Sequence, residues 1–201
     1  MKKIPEPSRK RLIQLSQLLS QVKQERITSQ EIQNLTRWSA AVIRRDISLL
    51  ELARSSSSGY QCQILRNAIL DALNIARTAE QKKCCIVGLG QLGTALLETQ
   101  ALKGTNFVLA AGFDSNANRT EILKSEIPLY STLELESVIA AKEIEYAILA
   151  VPDSAADETA QRLERCGIRG IVNYTGTILS TSPSVAVENV SLRLALQTIC
   201  S

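Results

Sequence analysis

Histidine is absent from this chain of 201 residues. That removes the side chain most often used to move protons near neutral pH. It lowers the expectation of an enzyme, although Lys, Asp, Tyr or Cys can serve in its place. No Tyr-x-x-x-Lys pair is present to supply a proton either. The five cysteines, Cys62, Cys84, Cys85, Cys166 and Cys200, form no C-x-x-C pair. An odd set without that spacing fits buried thiols in a reducing cytosol, and gives no support for a zinc site or a disulfide scaffold. The start, Met1-Lys2-Lys3-Ile4-Pro5, leads into charged residues rather than an apolar core, and no apolar run is long enough to span a bilayer. A signal peptide, a membrane segment and a bound metal are therefore not expected, and a cytoplasmic location is.

What is present is ordinary in bulk and uneven in detail. Hydrophobic residues make up 45% and charged residues 21%, as in a typical globular chain. The length suits two small domains with separate cores. The net charge of +3 divides unequally: residues 1–80 carry 13 Lys+Arg against 7 Asp+Glu, and residues 81–201 carry 10 against 13. A basic front half suits a polyanion such as DNA; an acidic back half does not.

The front half reads as helices. Pro5 and Pro7 favour an extended start. Ser8 is placed to cap a helix running to about Gln24, with Leu12, Leu15, Leu19 and Val22 as its buried stripe. Arg9, Lys10 and Arg11 crowd its first turn, where cations oppose the helix dipole and a phosphate partner would offset that cost. Thr28-x-x-Glu31 is a capping box opening a short helix through Leu35. After a break at Thr36-Arg37-Trp38, Ser39 caps a third helix from Ala40 to about Leu52, with Val42, Ile43, Ile47 and Leu50 on its apolar face. Two helices joined by so short a turn have helix-turn-helix spacing. The second would enter a major groove, with adjacent Arg44 and Arg45 reaching a base or a phosphate and Asp46 orienting a neighbouring arginine. The segment Ala53 to Gln61, containing Ser55 to Ser58, Gly59 and Tyr60, reads as a loop that with flanking short strands would form a wing, or as a plain linker. A further helix is expected from Gln63 to about Arg77, with Ile64, Leu65, Ile69, Leu73 and Ile75 apolar. The domain boundary falls between Thr78 and Lys83.

At residue 83 the period changes. Cys84-Cys85-Ile86-Val87 is a short apolar strand that runs into Gly88-Leu89-Gly90-Gln91-Leu92-Gly93, a G-x-G-x-x-G turn opening a helical pattern. Twenty-one residues past Gly93, a second apolar run, Phe107 to Phe113, ends on Asp114. Strand, glycine turn, helix and acid in this order are the fingerprint of a dinucleotide site. Gly88 makes the tight turn, Gly90 admits a pyrophosphate, Gly93 allows close helix–strand packing, and Asp114 would accept from a ribose diol, favouring NAD(H) over NADP(H). Further strands are expected at Tyr146–Val151, Ile168–Asn173 and Val185–Val190. Helices are expected at Gln91–Lys103, Leu133–Lys142, Ala155–Cys166 and Ser191–Cys200. This alternation implies a parallel sheet with its ligand beyond the carboxyl ends of the strands. Val151-Pro152 and Asn173-Tyr174-Thr175 end two strands at that edge.

Over essentially its whole length the chain resembles the Rex family of redox-sensing transcriptional repressors. The resemblance is carried by Ile4-Pro5 with Arg11-Leu12, by Ser39-x-x-x-Ile43-Arg44-Arg45-Asp46 and by Gly59-Tyr60. It continues through Gly88-x-Gly90-x-x-Gly93-Thr94-Ala95, Phe113-Asp114, Val151-Pro152, Gly167-Ile168-x-Gly170-Ile171 and Asn173-Tyr174-Thr175. It implies an N-terminal winged helix-turn-helix domain over residues 1–80. A Rossmann-like NAD(P)-binding domain would follow over 81–201, and a C-terminal helix at about 191–201 would swap across a homodimer. It further implies a repressor that binds palindromic double-stranded operator DNA and is released by NADH. DNA contacts would come from Arg9, Lys10, Arg11, Ser39, Arg44, Arg45, Ser58, Gly59 and Tyr60. Coenzyme contacts would come from Gly88 to Gly93, Asp114, Val151, Pro152, Asn173, Tyr174 and Thr175. The chain departs from the family's pattern in its serine-rich wing and in Ile47-Ser48-Leu49-Leu50. Thr99 and Ser191 stand where a switch tyrosine and aspartate belong, and Gly176 stands where many members have proline. The alternatives are a small NAD-dependent oxidoreductase, a CoA-ligase-like nucleotide domain with an unrelated helical front, or a DNA-binding protein that has lost its ligand.

Overall fold

A computed structural model of the chain describes residues 4–50, 52, 59–75, 81–98, 102–103 and 105–200. It comprises two compact units, Met1–Ala79 and Glu80–Ser201. The serine-rich segment with Ser55 to Ser58, the expected helix end at Arg77 and residue Thr99 lie outside the described residues.

In the first unit, helix α1 spans Glu6–Gln21 and starts from Pro5 with no side-chain cap. Ser8 is therefore not the cap; it lies inside the helix and is buried. Pro7 also lies inside, in the first turn, where a missing amide has no carbonyl partner to lose. The helix ends before Gln24 because Val22 is extended. Strand β1, Arg26–Ile27, follows, and then α2, Ser29–Thr36. The capping box forms: the Glu31 amide donates to Thr28 Oγ1 at 3.2 Å, and the Thr28 amide donates to the Glu31 carboxylate at 2.7 Å. Arg37, with φ of 63°, turns the chain into α3, Ala40–Ser48, whose cap Ser39 accepts from the Val42 amide. Strand β2, Tyr60–Gln61, pairs antiparallel with β1. Helix α4, Cys62–Ala72, is shorter than its apolar pattern suggested, because Asn74 takes a left-handed turn with φ of 55°. Ile64 is exposed rather than packed; Cys62, Leu65 and Ile69 form the buried face of α4.

Leu12, Leu15, Leu19, Ile32, Ile43, Ile47 and Ile69 build one core between these helices. Within it Arg11 on α1 donates from Nε and Nη2 to both oxygens of Asp46 on α3, at 2.6 and 3.0 Å. Asp46 does not orient Arg44 or Arg45 as the sequence suggested. It sits on the buried side of α3 with Ile43 and Ile47, while both arginines face outward.

The second unit is a six-stranded, fully parallel sheet in the order β5-β4-β3-β6-β7-β8. The strands are β3 Lys82–Val87, β4 Phe107–Asp114, β5 Leu129–Ser131, β6 Tyr146–Leu149, β7 Gly170–Asn173 and β8 Ala186–Asn189. The helices between and after them are α5 Gln91–Leu97, α6 Ala117–Ile122, α7 Leu135–Lys142, α8 Asp153–Arg165 and α9 Leu192–Cys200. Helix α6 and strand β5 were not foreseen, being too short to show a period. Helix α5 stops at Leu97 rather than Lys103, and β6 stops at Leu149 rather than Val151. Counted within this sheet alone, the strands run third, second, first, fourth, fifth, sixth. The chain thus reverses its direction of winding between β3 and β6, where an open parallel sheet leaves a crevice for ligand. Val87, Phe113, Ala147, Leu149 and Ile171 pack on Leu135, Ile139, Ala156, Ala160 and Leu163 of α7 and α8. Helix α9 buries no residue.

Asp46→Ala should destabilise the first unit by roughly 1–3 kcal/mol, because it leaves Arg11 without its carboxylate. The double variant with Arg11→Ala should cost less than the two single losses added together. Thermal unfolding of the four proteins checks both expectations.

Candidate functional site

The turn after β3 is built by backbone contact. Gly88 has φ of 96°. A Cβ on it would meet the carbonyl of Ala150, whose carbon lies at 2.6 Å, and the Val151 amide nitrogen at 2.9 Å. A Cβ on Gly93 would fall on the carbonyl oxygen of Gly88. Both glycines therefore hold the start of α5 tightly against β3 and the end of β6. Gly90 differs: nothing lies within 4 Å of where its Cβ would be. It is the first residue of the turn that a ligand could approach. No side chain caps α5, so its leading amides, which no helical carbonyl can reach, are left for an outside acceptor. Gln91 and Leu92 are exposed at this opening, and Leu89 is buried beneath it.

Asp114 ends β4 beside this turn and is only 3% exposed. Its Oδ2 accepts from the Leu89 amide at 2.7 Å and from Arg119 Nη1 at 3.0 Å, and its Oδ1 accepts from the Asn116 amide at 2.8 Å. Burial opposes its ionisation, but the Asn116 and Leu89 amides and the Arg119 guanidinium outweigh burial and hold the carboxyl below its ordinary range. Asp114 thus fixes the glycine turn, and Oδ1 retains acceptor capacity for a hydroxyl. Arg119 was missed in the sequence, since only the short helix α6 brings it back to Asp114.

Val151 and Pro152 follow β6 at the crevice, Val151 half-buried and Pro152 exposed. At the end of β7, Asn173 is buried and fully engaged. Its Oδ1 accepts from the Thr175 amide and hydroxyl, and its Nδ2 donates to the Thr177 carbonyl at 2.9 Å and Asn189 Oδ1 at 2.8 Å. Asn173 and Thr175 therefore brace the loop from within. Tyr174 between them is half-buried, with its amide bonded to the Leu149 carbonyl at 2.9 Å.

In the first unit Arg9, Lys10, Ser39, Arg44 and Arg45 are all exposed. Lys10 lies 3.8 Å from Glu6 on the same helix. Arg11 is instead committed to Asp46. Gly59 and Tyr60 are half-buried, and the Gly59 carbonyl accepts from Arg26 Nη2 at 2.9 Å. Ser58 lies outside the described residues.

Burial raises the thiols of Cys62, Cys84, Cys85 and Cys166, that of Cys84 to about 11. All four stay protonated at neutral pH and are poor nucleophiles. Among the described residues no group of three or more metal-ligating side chains comes together. No helix among them is long and apolar enough to cross a membrane.

Comparison with known proteins gives this geometry a lineage. Residues 3–48 match a family described as "Putative DNA-binding protein N-terminus" and residues 79–177 match "CoA binding domain". The redox-sensing transcriptional repressor Rex of Exiguobacterium sp. is 32% identical over 200 residues, which span 98% of this chain and 90% of that protein. Rex of Lactobacillus gasseri is 34% identical over 175 residues, 87% of this chain and 80% of its own. This chain belongs to the Rex family. Among solved structures, the Rex-family repressor RSP in complex with beta-NAD+ and operator DNA matches with a TM-score of 0.87 at 27% identity, covering 100% of this chain and 92% of RSP. RSP in complex with beta-NADH matches with a TM-score of 0.86 at 26% identity, covering 100% and 94%. A Rex-like order of parts follows: a DNA-binding helical region precedes a Rossmann-like parallel-sheet domain.

Gly93→Ala should lower stability by roughly 1–3 kcal/mol through overpacking, whereas Gly90→Ala should fold within about 0.5 kcal/mol of wild type. Denaturant unfolding separates the two. A carboxyl held below its ordinary value stabilises the fold above about pH 4 and loses that contribution as pH falls through the folded-state value. The acid limb of the unfolding profile should therefore flatten in Asp114→Asn.

Proposed function

We propose that this chain is a homodimeric transcriptional repressor whose hold on a palindromic operator is governed by NAD(H), with NADH releasing the DNA. Residues 1–80 form the reader and residues 81–201 the sensor. The observation that carries this reading is the pairing, in one short chain, of a basic helix-turn-helix with an open glycine turn at the reversal point of a parallel sheet. The two liganded forms of RSP support it.

The coenzyme's diphosphate would lie along Gly88 to Gly93, with Gly90 giving the closest approach and the α5 amides supplying donors. Asp114 would take a ribose hydroxyl through Oδ1. Val151, Pro152 and Tyr174 would flank the nicotinamide, with Asn173 and Thr175 holding Tyr174 in place. What the coenzyme supplies is an oxidation level, and the protein does no redox chemistry on it: the chain acts as a regulator, not an enzyme, in the cytoplasm and without a metal. On the DNA side, Arg44 and Arg45 at the outer face of α3 would read bases or phosphates. Arg9 and Lys10 would add phosphate contacts, with Ser39, Gly59 and Tyr60 at the margins. Arg11 would act through Asp46 by fixing α3 on α1.

Dimerisation is supported by α9, where Leu192, Leu196 and Ile199 share one face and are 54–80% exposed. Such a face is covered when the helix packs on a second subunit. The ligand then acts by favouring one of two dimer states, only one of which presents both readers at the operator's half-site spacing.

The match to CoA-binding domains favours one second reading, in which the crevice takes coenzyme A. The same strand order serves both ligands, and the discriminating measurement is calorimetry with NADH, NAD+ and coenzyme A side by side.

Operator titrations should show DNA released by NADH and retained with NAD+; equal affinity under both conditions would remove the sensing role. Arg44→Ala and Arg45→Ala should each weaken operator binding by roughly 1–3 kcal/mol if they read bases. Both should leave NADH binding unchanged, as gel shift and fluorescence titration would report.

A further inference from the structure

The loop from Tyr174 to Ser184 is laid along one face of α8 by three carboxylates. The Gly176 amide donates to Asp153 Oδ1 at 2.8 Å, and Thr177 Oγ1 donates to the Asp153 carbonyl at 3.2 Å. The Ser180 amide donates to Asp157 Oδ1 at 2.7 Å, and the Ser182 amide donates to Glu164 at 3.3 Å. Asp153 is the first residue of α8 and directly follows Pro152. Its bonds therefore join the loop after β6 to the loop after β7. These are the two loops on either side of the crevice where the proposed nicotinamide site lies.

We infer that Asp153 is a positioning residue of the coenzyme pocket: its carboxylate clamps the Gly176 amide and so sets the separation between Val151-Pro152 and Tyr174. The inference rests on the reading of the crevice as an NAD(H) site. Two features make the clamp specific to these side chains. A Cβ on Gly176 would lie 2.7 Å from Asp153 Oδ2, so a side chain there would have to displace the carboxylate. A proline there would in addition remove the donor. On its other side Tyr174 is tied by its own amide to the end of β6, and Asn173 before it to Thr177. Asp157 and Glu164 hold only the distal part of the loop, away from the strand ends. The clamp therefore tunes the ligand's fit without touching the ligand. An amide-to-carboxylate bond is among the stronger neutral-to-charged contacts, and it closes a loop whose other end leads into β8 and α9.

The test compares Asp153→Ala, Asp153→Asn and Gly176→Pro with Asp157→Ala as the distal control, using the full chain. Hydrogen exchange of the 174–182 segment is measured without ligand, and NADH and NAD+ affinities by fluorescence and calorimetry. Asp153→Ala and Gly176→Pro should speed exchange at the proximal part of the loop and weaken NADH binding about tenfold, the scale of one hydrogen bond to a charged group. The double variant should bind no more weakly than either single one. Asp153→Asn keeps an acceptor oxygen and should stay within about threefold of wild type, and Asp157→Ala should bind NADH as wild type does. Asp153→Asn failing as badly as Asp153→Ala would assign the effect to charge and overturn the clamp. Faster exchange in Asp153→Ala with unchanged NADH binding would overturn the positioning role alone. A wild-type protein that binds neither dinucleotide would bring down the coenzyme reading and this role with it.

Discussion

Backbone packed on backbone at the end of β3 is the constraint from which the second unit is built. Gly88 lies against the Ala150 carbonyl, and the site of a Gly93 Cβ is taken by the Gly88 carbonyl oxygen. A side chain at Gly88 would push the turn off the end of β6, and one at Gly93 would push α5 off the turn after β3. With both absent, the strand ends of β3 and β6 converge and α5 starts directly after Gly90 with no side-chain cap. Asp114 ties this turn from the other side through the Leu89 amide. Three elements distant in sequence are thereby fixed at one corner, and every other feature of the site is placed relative to that corner.

The first unit solves a different problem, which is to present cations outward from a small core. Arg44, Arg45, Asp46 and Ile47 are consecutive, yet the first two are exposed and the last two buried. Helical period separates them: a step of about 100° per residue carries the side chains from water to core within half a turn. Burying a carboxylate there is tolerable because Arg11 meets it with two donors. The same contact draws the start of α1 onto α3, so the basic first turn and the exposed arginines belong to one rigid body of the first unit.

The loops at the carboxyl edge show how polar residues near a ligand site divide between contact and support. The Asn173 side-chain amide has its donors and its oxygen used internally, and the Thr175 hydroxyl donates to it and accepts from the Thr177 amide. A side chain so committed gives up bonds in a buried setting if it turns to another partner, and that carries a free-energy cost. Support residues of this kind are indistinguishable from contact residues in a motif. At the other end of the chain, α9 leaves its leucines exposed.

The linear sequence by itself determined the division into a basic helical half and an acidic alternating half, the capping box at Thr28 and Glu31, the cap at Ser39, the glycine turn and the acid after the second strand. Each of these depends on local chemistry or on a periodicity a few residues long. Only the tertiary structure decided the strand order and the partner of Asp46. It alone placed Arg119 and Asp153, closed α1 and α4 earlier than their apolar patterns run, and revealed the short α6 and β5. The strand order and the partners of Asp46 and Asp153 turn on contacts between residues tens of positions apart, where geometry selects one partner among several of equal local merit. A carboxylate looks the same in sequence whether it meets an arginine 35 residues away, as Asp46 does, or a loop amide 23 residues away, as Asp153 does; folding alone brings one donor within reach.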